Sequence, residues 1–110
     1  MNNTSGNNFI LSNTISKAAT DGIRVNNVFG ITVNNNTIRN TSADGIDVTN
    51  SASARIGGNR VGFESLTDTS AGVGNIKGDG IKLDSSSNAA ISGNKVIDTA
   101  STGFDIGSGI

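Results

Sequence analysis

Short stretches of alternating apolar and polar residues recur along the chain, separated by clusters of Asn, Ser, Thr and Gly. One group reads "DGIRV" (21–25), "DGIDV" (44–48), "DGIKL" (79–83) and "TGFDI" (102–106). A second group reads "ILSNTI" (10–15), "VNNNTI" (33–38), "IGGNRV" (56–61) and "ISGNKV" (91–96). Apolar residues that alternate with a period of two predict short β-strands, each burying one face.

Both groups follow a single repeat. The Asn of the second group recurs at positions 13, 36, 59 and 94, and the Gly of the first group recurs at 22, 45, 80 and 103. Each series therefore has two intervals of 23 residues and one of 35. A period of 23 with one insertion of 12 residues, placed within residues 62–78, explains both series. Self-similarity at a fixed period is the signature of repeat architectures.

Three strand signals occur in each repeat, as in Ile23 with Val25, Ile31 with Val33, and Ile38 after its Asn. A single coil cannot bury its apolar row, so neighbouring coils must stack and cover one another. We therefore predict an all-β solenoid of about four coils of 23 residues. The predicted interior rows are Ile23/Ile46/Ile81/Phe104, Val25/Val48/Leu83/Ile106, Val33/Ile56/Ile91 and Ile15/Ile38/Val61/Val96.

The recurring Asn is predicted to lie at the tight bend between the second and third strands. Asn tolerates left-handed backbone dihedrals and bonds to nearby backbone groups, and Gly58 and Gly93 remove the Cβ penalty at the same bend. Stacked Asn side chains are expected to bond from coil to coil as an amide ladder.

These features resemble the right-handed parallel β-helix (pectin-lyase-like) repeats, which have three strands per coil, an Asn-rich bend and "DGI-x-V"-type first strands. The resemblance covers nearly the whole chain and implies one right-handed parallel β-helix domain, residues 1–110, with an inserted loop at 62–78. "ITVNNNTI" (31–38) also fits a leucine-rich repeat, but the chain has three Leu and no room for that fold's convex arm. Neither end looks capped, so we expect adjoining β-helix coils or end-to-end self-association.

Composition narrows the possible partners. The 13 Ile and 7 Val favour strands. A formal net charge of −1 gives no electrostatic footprint for nucleic acid or an anionic membrane, and no apolar run could span a bilayer. The absence of Cys excludes disulfides and thiolate metal ligands. Met1 is followed by polar residues and not by a signal segment, so we expect either a cytoplasmic chain or a leader outside this sequence. The resemblance implies an extracellular or cell-surface location.

In the carbohydrate enzymes that the chain resembles, substrate lies along the outer face of the first strand, beside long loops. The matching residues here are Arg24, Asp47, Lys82 and Asp105 on the strands, with Glu64, Asp68 and Lys77 in the inserted segment. The resemblance implies that all seven contact an acidic polysaccharide and that the four strand residues are the catalytic candidates. Alternatively, the four opposite charges on adjacent coils form a surface ladder, with roughly 0.2–1 kcal/mol per pair.

"TGFDI" is similar to a Gly-Phe-Asp segment of alginate epimerases, which would make Asp105 the analogous carboxylate. The chain departs from that family because no aromatic residue precedes the Gly and no His follows the Asp. The sequence contains no His, Tyr or Trp at all, which excludes a His or Tyr acid/base from this chain. Catalysis is therefore left open, and the chain is not expected to be a complete active enzyme.

Asp21, Asp44 and Asp79 would stack as three like charges at strand spacing. They are expected to accept backbone N–H bonds in their Asp-Gly turns. The alternative is a Ca²⁺ ion bridging their oxygens, and no other cofactor is predicted.

Two functions are consistent with these patterns. The first is a β-helix domain of a carbohydrate-associated protein that binds an acidic polysaccharide or is lyase- or epimerase-like. The second is a structural stalk, adhesin or fibre segment without catalytic activity. A shared fold does not decide between them.

Overall fold

The computed structural model describes residues 2–4, 8–62, 76–97 and 99–106, and this part of the chain forms short strands. They are β1 (Asn2–Thr4), β2 (Asn8–Leu11), β3 (Thr14–Ala18), β4 (Ile23–Val28), β5 (Ile31–Asn34), β6 (Thr37–Thr41), β7 (Ile46–Thr49), β8 (Arg55–Gly57), β9 (Arg60–Val61), β10 (Ile81–Asp84), β11 (Ala90–Ser92), β12 (Lys95–Val96) and β13 (Phe104–Ile106). Nothing helical in these residues has the length and apolar character needed to cross a membrane.

The strands form three parallel sheets. Sheet A has the order β1-β4-β7-β10-β13, sheet B the order β2-β5-β8-β11, and sheet C the order β3-β6-β9-β12. Consecutive strands along the chain go to sheets A, B and C in turn, so each coil adds one strand to every sheet. Ile46 pairs with Ile23 on one side and with Ile81 on the other, which are the predicted intervals of 23 and 35 residues. The predicted parallel β-helix solenoid is confirmed.

The core is a column of β-branched side chains between the three sheets. The predicted rows occupy it in register: Ile46, Val48 and Ile38 are fully buried in the middle coils. Burial of the core side chains decreases toward the outer coils, where Ile15, Ile91 and Val96 are only partly buried. Phe104 pairs with Ile81 as predicted but is 44% exposed, because β13 is the edge strand of sheet A. The core is thus completed by neighbouring coils.

Left-handed backbone conformations recur with the same period as the strands. At the corner between sheets B and C, Ser12, Asn35, Gly58 and Gly93 all have positive φ, between 56° and 66°. These residues immediately precede the recurring Asn, and the recurring Asn residues themselves do not have positive φ. The expectation that the recurring Asn adopts the left-handed conformation is therefore wrong by one position. The role of Gly58 and Gly93 at this bend is confirmed.

The recurring Asn does form the predicted ladder. The Oδ1 atom of Asn59 accepts bonds from the backbone N and the Nδ2 of Asn36, both at 3.0 Å. Its Nδ2 donates to Val33 O at 2.9 Å and to Asn94 Oδ1 at 2.8 Å. Asn13 continues the column at the first coil. Because Asn59 is fully buried, complete pairing of its amide is what allows it inside the solenoid.

Each of the other two corners has a ladder of its own. Between sheets A and B, Val28 N donates to Ser51 Oγ at 3.1 Å, and Ser51 N donates to Ser86 Oγ at 3.0 Å. Between sheets C and A, Asp44 N donates to Asp21 Oδ1 at 2.9 Å. Three side-chain columns, of Ser, Asn and Asp, therefore tie the coils together where the strands end.

The two described ends of the inserted segment lie beside β6 of sheet C. Gly62 N still bonds to Ile38 O at 2.7 Å, and the chain is back on the coil at Ile76, which is fully buried and bridges Thr41 and Thr99 in parallel. Residues 63–75 are outside the described part of the chain, so the predicted contacts Glu64 and Asp68 lie there as well. Lys77 follows Ile76 as an exposed residue whose backbone N bonds to Thr41 O at 3.2 Å.

Candidate functional site

The four charged residues predicted on the first strand lie on one row of sheet A. Asp47 is paired with Arg24 on one side and with Lys82 on the other, and Lys82 is paired with Asp105. Their neighbours in each strand point into the core, so alternation turns this row outward. The structure thus brings the four residues together in the predicted order of charges.

Arg24 is held by carboxylates of its own chain. Its Nε lies 3.8 Å from Asp21 Oδ2 and 3.9 Å from Asp47 Oδ2. Although Asp47 faces outward, it is only 8% exposed, and its Oδ1 accepts a bond from Thr49 Oγ1 at 3.0 Å. Arg24 itself is 71% exposed at its side chain, so each of these pairs contributes at most about 1 kcal/mol.

The column of Asp residues accepts backbone N–H bonds, as expected, but the donors lie on the next coil. Asp44 Oδ1 accepts from Asp79 N at 2.7 Å, and Asp79 Oδ1 accepts from Thr102 N at 2.9 Å. These bonds cross between coils and do not close the Asp-Gly turn on itself. They explain how acidic residues can stack at strand spacing.

Burial and hydrogen bonding move the pKa values of two of these carboxyls in opposite directions. Burial raises the pKa of Asp44, repulsion from Asp21, Asp79 and Asp47 raises it further, and the bond from Asp79 N opposes the rise. Burial alone would raise the pKa of Asp79, but hydrogen bonds from Thr102 N and from the side chains of Ser101 and Thr102 lower it by more. The pKa of Asp79 is therefore lowered.

Asp21, Asp44 and Asp47 bring carboxylate oxygens within 4.8 Å of one another. The Ca²⁺ alternative named Asp21, Asp44 and Asp79, and this grouping has Asp47 in place of Asp79. Each of its residues already has a partner: Asp21 and Asp44 accept the backbone bonds of their ladder, and Arg24 lies against Asp21 and Asp47. The arrangement is a carboxylate cluster with a guanidinium beside it.

A second surface, which the sequence reasoning missed, lies on the outer face of sheet B. Two adjoining hollows of about 340 and 320 Å³ share Thr32 and Arg55. We call them together the sheet B groove; its lining is Phe9, Phe29, Gly30, Thr32, Asn34, Ser53, Arg55, Ile56, Gly57, Ala90 and Ser92. The two phenylalanines are 58% and 56% exposed. Exposed aromatic side chains beside a concave floor are features that binding surfaces often share.

Arg55 is the charged residue of this groove and differs from Arg24. Within the described residues, its guanidinium has no carboxylate oxygen within 4.0 Å, and the side chain is exposed. Strand register could have revealed the site, because Phe9, Thr32 and Arg55 occupy one outward position of successive coils. The resemblance to enzymes with substrate on the first strand predicts a site on sheet A instead.

The three stacked parallel sheets and the three corner ladders define a parallel β-helix domain. Residues 1–109 match the sequence model of a protein family described as "Periplasmic copper-binding protein (NosD)". Because the match spans nearly the whole chain, the chain belongs to this family. The family is described as periplasmic, a location outside the cytoplasm and not necessarily outside the cell. Comparison with curated proteins and with solved structures gave no significant match.

Copper, named in the family's description, does not fit the donors that this chain presents. The sequence contains no His and no Cys, and one Met, at position 1. Imidazole and sulfur are the usual protein ligands of copper, whereas carboxylates suit Mg²⁺ and Ca²⁺. The described residues bring together only one such group of donors, the carboxylates of Asp21, Asp44 and Asp47.

Proposed function

We propose that this chain is a binding domain that works outside the cytoplasm and holds an acidic polysaccharide in the sheet B groove. The observation that carries the proposal is the position of Arg55, exposed and without a carboxylate partner among the described residues, between the two hollows. Membership of a family described as periplasmic supports the location.

The lining of the sheet B groove suits a sugar polymer. Phe9 and Phe29 offer exposed aromatic faces on which the apolar face of a sugar ring can stack. Thr32, Asn34 and Ser92 supply hydroxyl and amide groups that can bond to sugar hydroxyls. The combination of apolar walls with a few polar groups is typical of ligand sites.

Charge favours an acidic sugar at this site. A guanidinium matches a carboxylate in shape and can form two parallel bonds with it. Among the described residues that line the groove, none is acidic and could compete for Arg55. The row on sheet A has the opposite character, because Asp21 and Asp47 lie against Arg24, and together with the nearby Asp44 they would repel a polyanion.

The direction of the groove follows from the stacking of coils. Phe9, Thr32, Arg55 and Ala90 are paired in turn across β2, β5, β8 and β11. With strands about 4.8 Å apart, this row is about 14 Å long and runs along the solenoid axis. A linear polymer lying along the axis would therefore contact Phe9 at one end and Arg55 two strands, or about 10 Å, further along.

The proposal concerns binding and assigns no chemistry to this chain. A lyase or epimerase reaction needs a positioned acid and base. Of the candidates Arg24, Asp47, Lys82 and Asp105, Arg24 and Asp47 already contact each other, and Asp47 is buried. Contacts from these four residues and from Glu64, Asp68 and Lys77 to the polymer are secondary in this proposal.

A matched pair of variants tests the site. Arg55→Gln and Arg24→Gln remove the same charge from sheets B and A. Binding of polygalacturonate and alginate, with uncharged dextran as the control polymer, is measured by affinity electrophoresis and calorimetry. We expect Arg55→Gln to bind the acidic polymers at least about tenfold more weakly, equivalent to about 1.4 kcal/mol. Arg24→Gln should bind like the native chain, and Phe29→Ala should lose affinity.

Two results would contradict the proposal. The native chain could bind neither acidic polymer, or Arg24→Gln and Arg55→Gln could lose affinity equally. The second result would show that affinity depends on the overall charge of the chain and not on the sheet B groove. Circular dichroism of each variant shows whether a loss reflects unfolding.

The second candidate function is a structural segment of a stalk or fibre. It is favoured by the internal pairing of Arg24 and by the three ladders, which connect the described coils at every corner. In this case Arg24→Gln would lower stability by up to about 1 kcal/mol, and no polysaccharide would bind to any variant.

A further inference from the structure

We infer that this β-helix is not itself a copper-binding module, although its family is described by copper. The inference rests on the donor atoms of the chain and on the state of its carboxylate cluster, and it is independent of the sheet B groove. Copper handled by such a protein would have to be bound by atoms outside these 110 residues.

The side chains of this chain lack the donor atoms that copper prefers. Cu(I) is selected by thiolate and thioether ligands, and imidazole is a good ligand for copper. The chain has no Cys and no His, and its one Met is residue 1. Its basic side chains are Lys and Arg, which act as hydrogen-bond donors and are not among the usual ligands of copper. The side chains therefore offer carboxylate, amide and hydroxyl oxygen.

The carboxylates of Asp21, Asp44 and Asp47 form a cluster whose oxygens already have partners in part. One oxygen of each residue already accepts a hydrogen bond, from Asp44 N, Asp79 N and Thr49 Oγ1 respectively. The second oxygens of Asp21 and Asp47 lie within 4 Å of Arg24 Nε. A copper ion entering here would be repelled by the guanidinium and would compete with hydrogen-bond donors for these oxygens.

The test is equilibrium dialysis of the whole folded chain against Cu(II), and against Cu(I) under anaerobic reducing conditions, followed by metal analysis. The matched variant carries Asn26→His and Thr49→His. These positions are paired on adjacent strands of sheet A and share its outer face, so two imidazoles would lie beside Asp47. This variant shows that the assay detects a site with copper ligands on the same scaffold.

We expect the native chain to lose its copper when it is dialysed into metal-free buffer, and the two-His variant to retain one equivalent under the same conditions. Stoichiometric copper on the native chain that is released by urea unfolding would overturn the inference. Retention that disappears in Asp47→Asn would also overturn it and would place the metal in the carboxylate cluster. Should the two-His variant fail to fold, Asn26→His alone, read by the electron paramagnetic resonance of Cu(II)–imidazole, replaces it as the positive control.

Discussion

Removing the side chain of Asn59 should be among the most damaging single changes in this protein. Its amide is fully buried and makes four hydrogen bonds, donating to Val33 O and Asn94 Oδ1 and accepting from the N and Nδ2 of Asn36. A typical intramolecular hydrogen bond contributes about 1 kcal/mol, and buried groups left without a partner cost about 1–3 kcal/mol each. Asn59→Ala should therefore reduce the free energy of unfolding by about 4 kcal/mol.

Asn13 provides the matched control, because it is the same residue in the same corner of an outer coil. It is exposed, and its Nδ2 donates one bond to Asn36 Oδ1 at 3.0 Å. Its backbone N bonds to the same oxygen and is retained in the variant. Asn13→Ala should cost about 0.5–1 kcal/mol. The two substitutions should then differ by about 3 kcal/mol, which is more than a hundredfold in the folding equilibrium.

Urea unfolding followed by far-ultraviolet circular dichroism measures both values, since the chain has no Trp or Tyr to report by fluorescence. Asn59 does not have a positive φ, so the Ala variant adds no backbone strain. If Asn59→Ala and Asn13→Ala lowered the unfolding free energy by the same amount, the coil-to-coil amide bonds would not be what stabilises this corner.

Other predictions follow from close contacts and from the carboxyls. A Cβ on Gly45 would lie 2.5 Å from Gly80 O and would also meet Val61, so Gly45→Ala should cost about 1–3 kcal/mol in urea unfolding. Gly103→Ala, with its nearest neighbour at 3.9 Å, should change stability by less than about 0.5 kcal/mol, and equal effects would argue against the packing explanation. Because the pKa of Asp44 is raised in the fold, its charge costs stability at neutral pH. Asp44→Asn should therefore stabilise at pH 7, with a gain that fades as the pH falls through the raised pKa toward 3.8. The pKa of Asp79 is lowered, so its stabilisation is present above pH 3.8 and is lost as the pH falls through the folded-state pKa. Asp79→Asn should destabilise at pH 7 and do less harm in acid, and pH profiles of the same sign for the two variants would contradict this assignment.

Most of the fold could be predicted from the repeat alone. Parallel strands that pair in register at every turn require coils of equal length, so an interval of 23 residues fixes which residues are neighbours between coils. The pairing of Ile23 with Ile46 follows directly. The same rule placed the Asn ladder. The repeat did not identify which residue is left-handed, because Asn35 and Asn36 are adjacent and Asn at either position could adopt a positive φ.

The candidate site was less predictable. The row of charges on sheet A was found because alternation decides which side chains face outward. Arg24 contacts both Asp21 and Asp47 because of the conformation that its long side chain adopts at the corner. The alternation of apolar and polar residues in the sequence does not determine that conformation. The sheet B groove depends on the curvature of the surface near Phe29 and Ser53, which lie outside the strands.

The corner ladders differ in direction. The Asn and Ser oxygens accept from the preceding coil, whereas the Asp oxygens accept from the following one. Each coil is therefore fastened to both neighbours, and a chain pulled from one end must release its coils one after another. Under tension the protein should lengthen in steps of roughly 80 Å for each 23-residue coil and roughly 120 Å for the 35-residue one. The force–extension curve should therefore show separate unfolding steps, and the coils that are still folded should resist the applied force between the steps.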